Sequence, residues 1–328
     1  MQKRPFLQSS CALLLLFIFL SSFCPILALD DKTGHLPKII ERPRVALVLG
    51  GGGCRGAAHI GVLRVLEKEQ IPIDLVVGNS IGAIVGGLYC ANVPLSRIEE
   101  ILKDQTMSKV YLPRFIWARI LLIPLRPIIY AFREKPAAGL ASTKKMSNFL
   151  QKQLPNNRRM IEQLPIPFKS VSLNLVDGNV KTFDEGDLVQ AMTASSTIPG
   201  LFKPAKIGSA YCVDGGIGAN LPTFKARQSG AQIVIAVSVD NGIQIAPTAK
   251  LSSYRFLGRR LLDVAFISMD KRLREEADIV IAPKLFGARM LDDDVQRIND
   301  SVEAGEIAAR SAMPDIRKAL DLQAQPAP

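Results

Sequence analysis

Two strand–turn–helix units follow each other between Arg44 and Ala91, and both turn on glycine. The first opens with Arg44-Val-Ala-Leu-Val-Leu49, an apolar run of strand length that stops at four consecutive glycines, Gly50 to Gly53. Residues 56–69 then place Ile60, Leu63 and Leu66 on one helical face. The second runs from Ile73 to Val77, passes through Gly78-Asn79-Ser80-Ile81-Gly82, and continues as a helix from Ile81 to Ala91. Strands joined in this way through helices run parallel, so the spacing predicts an α/β fold with a mainly parallel central sheet. Apolar residues make up 48% of the 328, enough to bury such a sheet between helices.

Further strands are expected at 168–175, 180–183, 232–239 and 278–282, with Asp177-Gly178 as a hairpin turn between the first two. Helices are expected at 94–104, 143–153, 186–195, 255–274 and 295–320. The last two fall around a boundary near 285, after which 286–328 reads as a C-terminal helical region with a loose, Pro-rich tail beyond Leu322.

The amino-terminal residues 1–28 have a different character. Lys3 and Arg4 precede an unbroken run of small and apolar residues from Cys11 to Leu20, and Ile26-Leu27-Ala28 offers a small-residue cleavage site. This is the layout of a secretory signal peptide. The other reading is an uncleaved anchor, because Cys11 to Leu29 approaches the roughly 20 residues that span a bilayer. Both predict an exported protein, periplasmic or secreted. Residues 29–42 follow as a polar linker.

The formal net charge of +11 draws an exported protein to anionic surfaces, for which lipid head groups are the natural partner. Nucleic acid is not expected, since no helix-turn-helix, zinc-finger or RNP signature occurs. Residues 107–133 mix Trp117 and aliphatic side chains with Lys109, Arg114, Arg119, Arg126 and Arg133, and contain no acid. Such a stretch suits a lid or a membrane interface; it also suits a core helix whose arginines reach outward. Cys54, Cys90 and Cys212 lie beyond the leader; an odd number without CxxC spacing indicates neither a disulfide framework nor a zinc site. No metal or other cofactor is expected.

The chemistry concentrates in a few short motifs. Gly78-Asn79-Ser80-Ile81-Gly82 is a G-x-S-x-G pentapeptide between a strand and a helix, the context that exposes a serine on a sharp turn. The helix start there turns unpaired N–H groups and a positive dipole end toward developing negative charge. Gly50 to Gly53, with Gly56, form a second strand-to-helix loop whose amides can line an anion-binding concavity, and Arg55 adds a fixed charge that steadies the loop or meets a phosphate. Gly51-x-Gly53-x-x-Gly56 also fits a dinucleotide fingerprint, with Asp74 near the expected ribose partner. That acid belongs at the carboxyl end of the second strand, whereas Asp74 precedes or opens it, so a dehydrogenase is rejected.

A serine nucleophile needs a base, and the chain has two histidines. His35 lies in the linker, and His59 sits on the helix after the glycine loop, where a packed histidine is commoner than a catalytic one. A carboxylate is the alternative. Val213-Asp214-Gly215-Gly216 presents one on a bend, where it faces a cleft or simply makes an Asp-Gly turn.

Taken in order, the motifs resemble the patatin-like phospholipase family. The resemblance rests on Gly50 to Gly53 with Arg55 and Gly56, on Gly78, Ser80 and Gly82, on Ala194-Ser-Ser-Thr-Ile-Pro-Gly-Leu-Phe202, and on Asp214-Gly215-Gly216 followed by Asn220 and Pro222; it covers residues 43–285. It implies a three-layer α/β/α fold and a Ser80–Asp214 dyad in place of a triad. The expected activity is that of a phospholipase A, lysophospholipase or esterase acting on a lipid or acyl ester. Ser80 would form the acyl-enzyme, Asp214 would take its proton, and Gly51, Gly52, Gly53 and Arg55 would form the oxyanion hole. An aspartate near pKa 3.9 is a weak base, so burial must raise it or water must help. The same scaffold also suits a non-hydrolytic lipid-binding or regulatory protein, or an acyltransferase or thioesterase. If residues 107–133 meet lipid, replacing Trp117 and Arg119 should lower binding to liposomes; unchanged binding would dismiss that role.

Overall fold

The central strand β1 (Val45–Leu49) is buried along its whole length, and its five apolar residues explain why. It pairs in parallel with β2 (Leu75–Asn79) on one edge and β7 (Ile233–Val237) on the other. Parallel pairing continues from β2 to β3 (Phe168–Asn174) and from β7 to β8 (Ile279–Ile281). An antiparallel group joins at β3, made of β4 (Val180–Phe183), β6 (Ala210–Asp214) and, beyond β6, β5 (Ala205–Ile207). The hydrogen-bonded path is β5-β6-β3-β2-β1-β7-β8, with β4 pairing to β3 off that path. The computed structural model describes residues 44–104, 141–240, 270–285 and 294–324, with isolated positions between 248 and 264. Residues Glu41–Pro328 gather into one unit, and the other, Met1–Ile40, contains none of the described residues. The leader, the linker, the segment 107–133 and most of the helix expected at 255–274 therefore lie outside the described residues.

Alternation along β1 divides the core into two layers. Val45, Leu47 and Leu49 face a cluster that includes residues of α1 (Ala58–Lys68), α2 (Ile81–Cys90), α3 (Leu95–Lys103), α4 (Lys144–Gln153), α5 (Leu188–Ser195) and α8 (Val295–Ala324). Ala46 and Val48 face the other way, toward Leu221, Ala226 on α7 (Thr223–Gln228), and Leu273. Helices therefore cover both faces of a mixed sheet, the layered α/β architecture expected of the chain. Among the described residues, no helix is long and apolar enough to cross a membrane.

Asp74 sits at the amino end of β2, where its Oδ2 accepts the Val45 amide at 2.8 Å. It ties the starts of β1 and β2 together, at the opposite end of the sheet from the glycine loop, as the rejection of a ribose partner requires. β5 and β6 and the short helix α6 (Gly216–Ala219) were not expected from the sequence. Ala-Lys-Ile and Ala-Tyr-Cys-Val-Asp are too short and mixed to announce strands, and pairing with β3 supplies what periodicity does not. The carboxy-terminal helix continues to Ala324, past the expected end at residue 320.

The arrangement of strands around β3 positions the site. The amides of Asn174 and Leu175, neighbours in sequence, donate to Asn179 O and Tyr211 O, so β4 and β6 lie on opposite edges of β3. β2 and β4 overlap in register at Ser170 and Val171, so β2 must share its edge with β6. On that edge Asn79 of β2 stands opposite Val171, and Asp214 of β6 stands opposite the next residue, Ser172. Two strands running in opposite directions thus end head-on, one residue apart along β3.

The glycine loop is held through α1, whose other side packs closely on α8. A Cβ on Gly61 would run into the Val302 carbonyl, and one on Gly305 into the Ala58 carbonyl. Arg64 near Glu306 (3.8 Å) and Arg317 on Glu69 (2.6 Å) flank this contact. Alanine in mid-helix normally stabilises by up to about 1 kcal/mol over glycine. Here Gly61→Ala and Gly305→Ala should each destabilise by about 1–3 kcal/mol, because backbone must move apart. Urea unfolding midpoints measure this, and a gain in stability would contradict the close packing.

Candidate active site

Ser80 occupies the turn between β2 and α2 with φ 53° and ψ −123°. Few non-glycine residues adopt this conformation, which costs on the order of 1–3 kcal/mol and persists only where surroundings enforce it. Four contacts do so. The Ser80 amide donates to Ser195 Oγ at 2.8 Å, and its carbonyl accepts the Ala83 amide at 2.9 Å, the Ile84 amide at 3.1 Å and the Ser196 hydroxyl at 3.2 Å. The flanking glycines are there for space. A Cβ on Gly78 would lie 2.5 Å from Gly82 O, and one on Gly82 would strike Leu49 O. The turn therefore packs directly against the end of β1.

Asp214 ends β6. Its amide donates to Thr197 O at 2.8 Å, and Gly216 N donates to its Oδ1 at 2.8 Å. Ser80 Oγ donates to its Oδ2 at 2.6 Å, a short, charge-assisted geometry. Burial pushes the Asp214 carboxyl up to about 6, against the pull of hydrogen bonds from Ser80, Gly216 and Asn79. Gly215 and Gly216 let the chain pass close by; a Cβ on Gly215 would lie 2.5 Å from Asn79 Oδ1.

The glycine loop runs past the serine, where a Cβ on Gly51 would sit 3.1 Å from Ser80 Cβ. Two of its amides are already engaged: Gly50 N donates to Val237 O at 3.0 Å, and Gly51 N to Asn220 O at 3.2 Å. Gly51 was expected to donate to an oxyanion, and its amide instead fastens the loop to the segment after Asp214. Gly52 N and Gly53 N have no partner among the described residues, which leaves them as the loop's available donors. Gly53, at φ 60°, makes the left-handed step that opens the following turn. Gly56 lets that turn approach Ile81. Arg55 bends back over the loop, with Nε donating to Gly52 O at 3.1 Å and Nη1 lying 3.6 Å from Asp240 Oδ1. Its side chain braces the loop.

His59 is fully buried, with Nε2 at 2.8 Å from Gly50 O. A carbonyl only accepts, so Nε2 carries the hydrogen. Nδ1 has no partner among the described residues, and burial lowers the pKa to about 4. The ring is neutral and supports the glycine loop from behind. His59 and Asp214 act oppositely on stability. Acidification from His59's ordinary value toward 4 weakens the fold, whereas Asp214, whose folded pKa is raised, weakens it as pH rises toward 6. Cys90 and Cys212 are buried, and Cys54 is partly buried.

Several residues of the site carried no assigned role in the sequence. Asn79 occupies the variable position of G-x-S, and its Nδ2 donates to Asn220 Oδ1 at 3.1 Å. Ser195 and Ser196 fix the serine turn. Runs of small polar residues flag such positions, but nothing in their spacing tells which one faces the serine.

A family model described as patatin-like phospholipase matches residues 47–227, more than half of the chain. The chain is 35% identical over 205 residues to an uncharacterized NTE family protein of Mycobacterium bovis, covering 62% of this chain and 51% of that one. It is 31% identical over 208 residues to patatin-like phospholipase domain-containing protein 6 of Homo sapiens, covering 62% and 14% respectively. Against the lysophospholipase NTE1 of Debaryomyces hansenii it is 32% identical over 212 residues, covering 62% and 12%. The match takes in half of one relative and a much smaller share of the other two. With the glycine loop, the serine turn and the Asp-Gly-Gly segment all inside the matched region, the chain belongs to the patatin-like phospholipase family.

Proposed function

We propose that this protein is a serine lipid acyl hydrolase that cleaves carboxylic esters through an acyl-enzyme on Ser80, with Asp214 as the proton acceptor. The observation that carries this reading is the 2.6 Å hydrogen bond from Ser80 Oγ to Asp214 Oδ2 on a turn strained for exposure of the hydroxyl. Family membership supports the ester class, and a relative named as a lysophospholipase supports lysophospholipid or phospholipid as the substrate.

The chemistry divides into two transfers. Ser80 Oγ attacks the ester carbonyl carbon while its proton passes to Asp214 Oδ2. Negative charge collects on the former carbonyl oxygen, where Gly52 N, Gly53 N and the start of α2 supply donors and positive dipole. One such donor contributes about 2.7–4 kcal/mol. The ester C–O bond breaks, and the leaving alcohol takes the proton from Asp214. Water then attacks the acyl carbon, gives a proton to Asp214, and releases the fatty acid as Ser80 Oγ recovers that proton. A carboxyl raised to about 6 is a better base than an ordinary aspartate and is still ionised at neutral pH. Export directed by residues 1–28 and contact with an anionic membrane surface complete the proposal, in keeping with the basic charge.

Hydrolysis of p-nitrophenyl esters and phospholipids by the chain from about Asp30 tests the dyad. Ser80→Ala and Asp214→Asn, each shown to be folded, should lower kcat by about 10³-fold or more. Activity surviving in S80A would overturn the mechanism. Only ionised Asp214 accepts the proton, so kcat/KM should fall as pH drops through about 6. His59→Leu should leave that limb in place while costing about 1–3 kcal/mol of stability through the stranded Gly50 carbonyl. A limb that disappears in the His59 variant would make histidine the base.

A further inference from the structure

A second carboxylate lies behind the site, and the ester mechanism does not use it. Asp270, on the helical stretch 270–275, is 2% exposed. Its Oδ2 accepts from Asn220 Nδ2 at 2.7 Å, and its Oδ1 is buried without a hydrogen-bond partner among the described residues. Among the described residues, the charged groups near it are Asp240, itself beside Arg55, and Arg274, whose Nη2 donates to Ser238 Oγ at 2.5 Å. Burial raises its carboxyl to about 6, helped by Asp240 and opposed by Asn220, Arg274 and the Leu221 amide.

An ionised carboxylate only accepts hydrogen bonds, so the Asn220 atom facing Asp270 must be Nδ2. That choice fixes the other end of the amide. Asn220 Oδ1 turns to the site and accepts from Asn79 Nδ2 at 3.1 Å. Asn79 immediately precedes Ser80, and its amide hydrogen-bonds Asp214. These atoms converge beside Gly216, where a Cβ would meet Asp214 Oδ1 at 3.1 Å, Asn220 Oδ1 at 3.2 Å and Asn79 Nδ2 at 3.4 Å. Asn220 also grips the glycine loop at both backbone groups of one residue: Nδ2 donates to Gly51 O at 3.4 Å, and its own carbonyl accepts Gly51 N at 3.2 Å.

We propose that Asp270 is a positioning residue for ester cleavage: it orients the Asn220 amide, and through it the Asn79 amide that faces Asp214. The proposal rests on the Ser80–Asp214 reading. Without the anion, the Nδ2 end of the Asn220 amide keeps only its long 3.4 Å contact to Gly51 O among the described residues, a weak hold against turning over. Two NH2 groups would then face each other at Asn220 and Asn79. Relief by turning Asn79 would aim an oxygen at Asp214, which loses a donor that favours its charged form. The proton acceptor would then be ionised only at higher pH, and its alignment with Ser80 would loosen.

The test compares wild type, D270N, D270L and S80A as full chains, with thermal unfolding, kcat, KM and the pH profile on one short p-nitrophenyl ester. D270L should lower kcat by about 10–100-fold with KM little changed. It should also move the acid limb of kcat/KM upward by about one pH unit. D270N still offers an amide oxygen to Asn220 without excluding the turned-over state, so it should recover much of kcat and show a smaller shift. Loss of activity that tracks the folded fraction alone, with the limb unmoved, would make Asp270 merely structural and overturn the proposal. Should D270L not fold, D270N decides: an unmoved limb with wild-type kcat overturns it. Activity surviving in S80A would instead remove the ester reading itself, whereas a dead S80A beside indifferent Asp270 variants removes only the relay.

Discussion

Everything at the site depends on two strands ending head-on against one edge of β3. β2 stops at Asn79 opposite Val171, and β6 arrives from the other direction and stops at Asp214 opposite Ser172. A strand end leaves backbone free to turn, and here both chains turn at the same place. Ser80 and Asp214 therefore meet at hydrogen-bond distance although 134 residues separate them in sequence. The arrival of antiparallel β6 on the same edge of β3 that parallel β2 occupies is what creates this junction. A fully parallel sheet would continue β2's edge with another carboxyl-terminal strand end and would bring no second chain down to meet the serine.

Space at that junction is scarce, and the glycines record it. The loop after β1, the serine turn and the Asp214 turn press on each other so closely that Cβ atoms at Gly51, Gly78, Gly82 or Gly215 would collide with backbone or with Asn79 and Asn220. Burial at this junction also sets its electrostatics. The Asp214 carboxyl is raised by burial despite three hydrogen bonds to it, and the His59 ring is kept neutral beneath the loop. The same burial that makes a carboxylate a stronger base removes histidine from that task. His59 spends its one N–H on Gly50 O and supports the loop whose later amides are left for an oxyanion.

Support for this junction extends outward on both faces of the sheet. On one, α1 carries the glycine loop and is clamped by α8 through glycine-to-backbone contacts. On the other, Asn220 links the loop, Asn79 and Asp270. A carboxylate oxygen buried there without a partner among the described residues is costly. It is tolerable where the group does something an apolar side chain would not, and fixing which way an amide points is such a task.

The sequence alone was sufficient for the two strand–turn–helix units, the glycine loop, the serine turn and the scarcity of histidine. These are local or compositional facts: apolar runs set strand length, glycines mark where backbone must turn tightly, and two histidines can be counted. Most expected strands and helices lie within two residues of their observed ends for the same reason. Only the tertiary structure decided that Asp214 meets Ser80, that Gly51 is engaged by Asn220 while Gly52 and Gly53 stay available, and that Asn79 and Asp270 belong to the same network. β5 and β6 are too short to show a period, and their register comes from β3, a distant segment. Which amide of a flexible glycine run points where depends on which carbonyl stands opposite it, and that is settled by packing between segments far apart in the chain.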